Sequence, residues 1–346
     1  MKKKELPGHG NKFIVARNSS AIFIVLCACF FYSCTSPVEN KNTSTETKTE
    51  KPSIAVPDFN ADSAYNYVKA QCDFGPRVPG TAGHKDCAGY LETTLRKYCP
   101  QVRVQTGTVT TFDGINLSIK NIIGSFNPES KNRVLLFAHW DTRPWADQDT
   151  FKTKDPILGA DDAGSGVGVL MEMARQFSIQ KPSIGVDIIF FDAEDWGSKD
   201  GGENSEDSYA LGTQYWAKHP HVPNYTANYG ILLDMVGAKG AVFRIEGNSK
   251  EHAGFVVDKV WQSAVRAGFS DYFLFQDGGW VTDDHVYVNR AGIPSIDIIH
   301  SNLGSRSGFP SHWHTHRDNM DVIDRNTLKA VGQTLLAVIF SESSPS

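Results

Sequence analysis

Residues 134–141 spell Val-Leu-Leu-Phe-Ala-His-Trp-Asp, a short apolar run that ends in an imidazole and a carboxylate. A run apolar at every position suits a strand covered on both faces, because a strand with one wet face would alternate. Similar runs stand at residues 186–191 (VDIIFF), 229–233 (YGILL) and 295–299 (SIDII). Between them, Val167, Leu170, Met173, Ala174 and Phe177 recur at helical spacing, as do Phe255, Val256, Val260 and Ala264. Residues 103–111 and 116–123 alternate loosely around Asp113-Gly114, a hairpin signal. Buried strands alternating with amphipathic helices predict an α/β fold, a three-layer α/β/α sandwich on a mixed, mostly parallel central sheet.

The chain of 346 residues is 40% hydrophobic and 21% charged, enough apolar surface to offset the entropy of ordering it. Its formal charge of -5 leaves no basic footprint, which argues against nucleic acid as a partner. Neither an internal repeat nor a Pro/Ser linker divides residues 58–342, so residues 58–346 are expected to form one catalytic domain.

The first part of the chain has a different character. Lys2, Lys3, Lys4, Lys12 and Arg17 precede an apolar run over residues 21–32, the length of a signal-peptide core and short for a membrane span. Ser33-Cys34 follows directly and resembles the end of a bacterial lipoprotein signal, with Phe31 where Leu is usual. Residues 1–33 are therefore expected to be a signal peptide, Cys34 a lipidated first residue, and residues 34–57 a polar tether. An uncleaved N-terminal anchor is the alternative. Both readings export the protein, and the lipoprotein reading fixes it to a membrane facing the periplasm or cell exterior. Cys72, Cys87 and Cys99 remain in the body, so at least one is unpaired, and no CxxC spacing supports a thiolate metal site.

In open α/β sheets, sites form beyond the carboxyl ends of strands. Here each strand runs into polar groups: His139-Trp140-Asp141, Asp192-Ala193-Glu194-Asp195, and Asp234. Asp161-Asp162 precedes the Val167 helix, and His312, His314 and His316 alternate near the end of the chain. Taken singly, each has a plain explanation. One acid before a helix serves as an N-cap, a histidine after a strand is often a hydrogen-bonded rim residue, and alternating histidines would share one strand face. Jointly, imidazoles and carboxylates without thiolate form the ligand mixture of a catalytic zinc.

The set His139-x-Asp141, Gly-Ala-Asp161-Asp162, Glu194-Asp195, Leu-Asp234 and His314, with Phe74-Gly75-Pro76-Arg77 near its start, resembles the zinc-dependent aminopeptidase superfamily that includes the animal-type glutaminyl cyclases. The resemblance runs from about residue 61 to residue 336. It implies that Asp162, Asp195 and His314 hold zinc and that Glu194 is the catalytic acid/base. His139 and Asp234 match residues that hold a second zinc in the aminopeptidases; in the cyclases the Asp234 position binds substrate. Asp283-Asp284-His285 leans toward the cyclases, which carry Asp at the first position. Trp313, with Trp196 and Trp140 on neighbouring loops, would furnish an aromatic pocket for a glutaminyl side chain. Asp297 stands where the animal cyclases have His, and no cysteine pair here reproduces their disulfide. The resemblance thus implies one zinc and conversion of N-terminal Gln on peptides or proteins to pyroglutamate, or two zincs and removal of N-terminal residues.

Overall fold

The protein is described by a computed structural model, which covers residues 55–199 and 205–342. The expected signal peptide, Cys34 and nearly all of the expected tether lie outside these residues. In the body, a six-stranded sheet runs in the order β1 (Gln101–Thr110), β2 (Asn116–Phe126), β4 (Gly185–Phe191), β3 (Arg133–His139), β5 (Tyr229–Asp234), β8 (Ser295–Ile299). The β4, β3, β5 and β8 strands are mutually parallel, while β1 and β2 join antiparallel at one edge. Two further short strands, β6 (Phe243–Ile245) and β7 (Phe273–Asp277), pair beside it. The β1–β2 connection turns at Gly114, whose φ of +82° suits glycine, with the Thr111 N–H bonding the Ile115 carbonyl.

The strands are apolar throughout because both faces are covered. Val134, Leu136 and Ala138 of β3 pack on one side with helices α1 (Ala61–Cys72), α2 (Ala82–Tyr98), α3 (Gly164–Ile179), α5 (Gly247–Arg266) and α7 (Arg325–Ser341). Leu135 and Phe137 face the other way, toward Trp216 of α4 (Leu211–Lys218) and Val288 of α6 (Asp284–Arg290). This alternation across one strand makes the three layers. The α5 face differs from its expected set: Val256, Val260 and Ala264 are buried with Ala253, Val257 and Trp261, while Phe255 is exposed on the far side. Cys72, Cys87 and Cys99 are buried free thiols, and burial lifts all three above the usual range.

Candidate active site

The parallel strands deliver their polar ends to one place. A cleft of about 320 Å³ is lined by Asp162, Glu194, Asp195, Asp234, Asp283, Trp313 and His314, with Tyr209, Met235, Trp280, Ile299 and Phe309 among its other walls. Two sets of ligand atoms lie within 4.8 Å of one another: Asp162, Asp195 and His314, and His139, Asp162 and Asp234. Asp162 belongs to both.

The donor chemistry fits a metal. His314 Nδ1 lies 3.2 Å from Asp147, while its Nε2 lies 3.3 Å from Asp195 and 3.6 Å from Asp162. A carboxylate behind Nδ1 favours the tautomer that turns the Nε2 lone pair toward the acids, the orientation metal-ligating histidines use. His139 repeats the arrangement, with Asp141 3.5 Å from Nδ1 and Asp162 3.1 Å from Nε2. Asp195 Oδ2 and Asp234 Oδ1 are buried without hydrogen-bond partners, a costly state unless another group takes them up.

Other acids brace the loops that carry these groups. Asp318 accepts the backbone N–H of Asp161 at 2.7 Å and of Asp162 at 3.2 Å. Asp141 does the same for Glu194 at 3.0 Å and Asp195 at 3.2 Å. Asp161 is itself a brace, accepting from the Gly237 N–H and pairing with His312. The cap of α3 is Ala163, which has no side-chain cap bond, so the N-cap explanation accounts for neither acid. Arg77 donates to the carbonyls of Trp140, Leu158 and Gly159, tying the β3 end to the Asp161-Asp162 loop. Arg143 reaches Asp195 at 3.2 Å and Asp147 at 2.8 Å.

Ala193, Met235 and His314 adopt φ of +54°, +48° and +53°. Left-handed backbone is unfavourable for residues with a Cβ, and its recurrence beside Glu194, beside Asp234 and at His314 marks a site held by its surroundings. His312, His314 and His316 therefore sit in turns rather than along one strand face.

The acids divide by environment. Burial pushes Glu194 well above the carboxyl range, aided by Asp283, Asp195 and Asp284 and opposed by His139. Burial and Asp234 lift Asp283 to about 7; burial and Asp283 lift Asp284 to about 8. Burial also raises Asp234 to about 6, and Asp297 rises well above its usual value with both oxygens lacking a partner. For His139 burial opposes the charge, but the carboxylates of Asp141, Asp162 and Asp234 close beside its ring prevail and raise it. The Asp283 side chain also caps α6 through the Asp284 N–H at 2.5 Å.

Two expected pocket residues lie elsewhere. Trp140 is fully buried, stacked on His84 at 4.3 Å with its indole N–H on the Lys120 carbonyl. Trp196 packs edge-on against Trp145, and neither tryptophan lines the cleft. Both adjoin strand-end site residues in sequence, Trp140 after His139 and Trp196 after Asp195, but their side chains turn into the packing around those loops. Trp313 does line the cleft, stacked on the His314 ring at 3.8 Å. Tyr209, Trp280 and Phe309, which sequence reasoning missed, supply the aromatic wall instead.

This fold, with acids and imidazoles converging beyond the carboxyl ends of parallel strands, is that of a zinc-dependent exopeptidase-like α/β enzyme. Residues 121–339 match peptidase family M28, and the chain belongs to that family. A Zn-dependent exopeptidase from Parabacteroides distasonis is 55% identical with a TM-score of 0.81, the match covering 83% of this chain and 100% of that one. The glutaminyl cyclase of Bacteroides thetaiotaomicron is 51% identical with a TM-score of 0.81, over 84% of this chain and 100% of that one. A glutaminyl-peptide cyclotransferase of Bos taurus is 28% identical over 255 residues, covering 63% of this chain. This chain spans 64% of the length of that curated relative.

Proposed function

We propose that the protein is a glutaminyl-peptide cyclotransferase, converting the N-terminal Gln of peptides or proteins to pyroglutamate with release of ammonia. The observation that carries this reading is that Glu194 and Asp283, both buried, line one cleft beside the Asp162, Asp195 and His314 set. The similarity to a bacterial glutaminyl cyclase over most of the chain supports it.

One zinc held by Asp162, Asp195 and His314 would supply Lewis-acid polarisation of the substrate's side-chain amide oxygen. The residues manage the protons and the geometry. The substrate's α-amine nitrogen attacks its own side-chain amide carbon; a new C–N bond forms and the old one breaks as ammonia leaves. Glu194 takes the proton that the amine sheds and returns it to the departing nitrogen, work suited to a carboxyl raised by burial. Asp283 and Asp234 orient amine and amide, since misplacement by ~1 Å can cost about 10²-fold. Trp313 packs against the glutaminyl stem.

The set of His139, Asp162 and Asp234 favours a second reading, an aminopeptidase with two zincs in which Glu194 activates water against the first peptide bond. The mass of a Gln-initiated peptide after incubation separates them: loss of ammonia is expected, and release of free glutamine would overturn the cyclase reading. The apolar run over residues 21–32, followed directly by Ser33-Cys34, further supports an exported, lipid-anchored enzyme with Cys34 as the attachment point. Cys34→Ser should leave precursor still carrying residues 1–33; normal cleavage to a soluble exported product would contradict the anchor.

A further inference from the structure

We propose that the end of the molecule opposite the cleft, which carries Lys97, Lys131 and Lys181 beside the start of the body at Ala55, is a docking surface for an anionic lipid membrane. The proposal rests on the lipid anchor at Cys34 and not on the reaction in the cleft.

The parallel strands give the molecule two ends. Their carboxyl ends make the cleft, and the seven residues of β3, roughly 20 Å at the usual rise, carry the chain there from Arg133 at the other end. Ala55, the first described residue, belongs to that other end. Its carbonyl accepts from the Gln180 side chain at 2.6 Å, and Gln180 follows α3 directly, with Lys181, Pro182 and Ser183 leading on toward β4. Asn127 at the end of β2 closes the same region, donating to the carbonyls of Pro182 and Ile184. Residues 35–54 separate Cys34 from Ala55 by at most roughly 70 Å of fully extended chain, so the anchor reaches a membrane without by itself turning either end toward it.

Charge distinguishes the two ends. Opposite the cleft, two grooves of about 520 and 470 Å³ meet at Pro128, the first lined by Arg103 and Lys131, the second by Arg96, Lys97 and Lys181. All five of these residues are exposed. Arg96 pairs with Glu92, and Glu129 is an exposed acid of the first groove, but among the described residues Lys97, Lys131 and Lys181 have no carboxylate partner. Ile179, 68% exposed beside Gln180, adds an apolar side chain at the same place. The cleft is the reverse: the described residues lining it include Asp162, Glu194, Asp195, Glu206, Asp234 and Asp283 and no Lys or Arg. An anionic surface therefore finds cations at the end where the anchored segment joins the body and none along the cleft. Lysines clustered next to a lipid-bearing segment are what acidic headgroups hold. Docked in this way, the cleft opens away from the membrane toward soluble peptides.

The test uses the full chain, purified from membranes with the mass of its N-terminal peptide measured, and reconstituted into vesicles of phosphatidylcholine alone or mixed with phosphatidylglycerol. Acylation of each lysine by a soluble reagent is then followed by peptide mass. In the anionic vesicles at low salt, Lys97, Lys131 and Lys181 should react about fivefold or more slowly than in the neutral ones. Lys152 and Lys250, exposed near the cleft, should keep their rates. Raising salt to about 0.5 M, which shortens the screening length to roughly 4 Å, should remove the protection. The double variant Lys131→Glu with Lys181→Glu should lose most of the protection at Lys97 while keeping its lipid and its turnover. Equal rates in the two kinds of vesicle, protection that survives the double variant, or protection of Lys152 and Lys250 instead, would overturn the docking surface while leaving the anchor intact. A mature chain without lipid on Cys34 would overturn the anchor, and the docking surface with it.

Discussion

Around Asp195, the neighbours are nitrogen groups: Arg143 lies 3.2 Å away, His314 3.3 Å away, and Asp147 bridges the guanidinium and the imidazole. Around Asp283, the neighbours are other acids, Asp234, Asp284 and Asp297, partly relieved by His139 and His285 and by hydrogen bonds from the Asp284 N–H and Thr213. Two groups of carboxyls share one cleft under opposite electrostatic conditions. In the first, Asp147 is held well below the usual carboxylate range, its burial outweighed by hydrogen bonds to His314 and Arg143, and the nearby guanidinium suits carboxylates that must be deprotonated to bind metal. The second is pushed toward the neutral form and, with burial, raises Glu194 beside it, which lets that carboxyl accept and return protons near neutral pH. One fold thus supplies a metal-holding side and a proton-carrying side.

The largest expected effect breaks the first side. His314→Ala removes the imidazole from the Asp162 and Asp195 set, and two carboxylates alone make a poor catalytic zinc site. Activity should be nearly abolished and zinc lost in elemental analysis; zinc retained with full turnover would contradict the assignment. A smaller effect tests the second side. Asp283→Ala should cost about 10²-fold in cyclisation, as expected for a misplaced attacking group, and leave zinc content unchanged. Loss of zinc in this variant would show that the two sides are not separate.

The smallest effect is on stability. In the metal-free protein Asp234, Asp283 and Asp284 titrate at about 6, 7 and 8, above ordinary carboxyls. Between the usual carboxyl range and those values the native state holds more protons than the unfolded chain, so stability falls as pH rises. His139, also raised, acts in the same direction. Glu246 is lowered to about 2, chiefly because hydrogen bonding to His285 outweighs its burial, and acts outside this window. The chelated protein should therefore melt at a lower temperature at about pH 8 than at about pH 5.5. A melting temperature that rises over this interval would contradict the proton-carrying side.

The layers and the strand ends were legible because burial on both faces writes a continuous apolar run, and a site beyond its end must begin where the run stops. Glu194, Asp195 and Asp234 follow their runs directly. The braces were not legible. Asp318 serves Asp161 and Asp162 from the far end of the chain, and Arg143 and Asp147 lie in a loop without regular structure, so no period or spacing announces them. Arg77 has no role legible from sequence, because its work is on backbone carbonyls that any residue offers. Trp140 and Trp196 misled for a related reason: adjacency along the chain fixes which loop a side chain leaves from, not the direction in which it points. The positive φ at His314 likewise depends on the surrounding packing rather than on glycine.

The division of the cleft is tested most directly by Glu194→Gln, which keeps size and shape but removes the proton acceptor. Zinc titration and turnover of a Gln-peptide should be measured on the same preparation. Zinc should bind with wild-type stoichiometry and affinity while turnover falls by ~10² to 10⁴-fold, the usual worth of general acid–base catalysis. Near wild-type turnover with zinc bound, or loss of the zinc itself, would contradict the account.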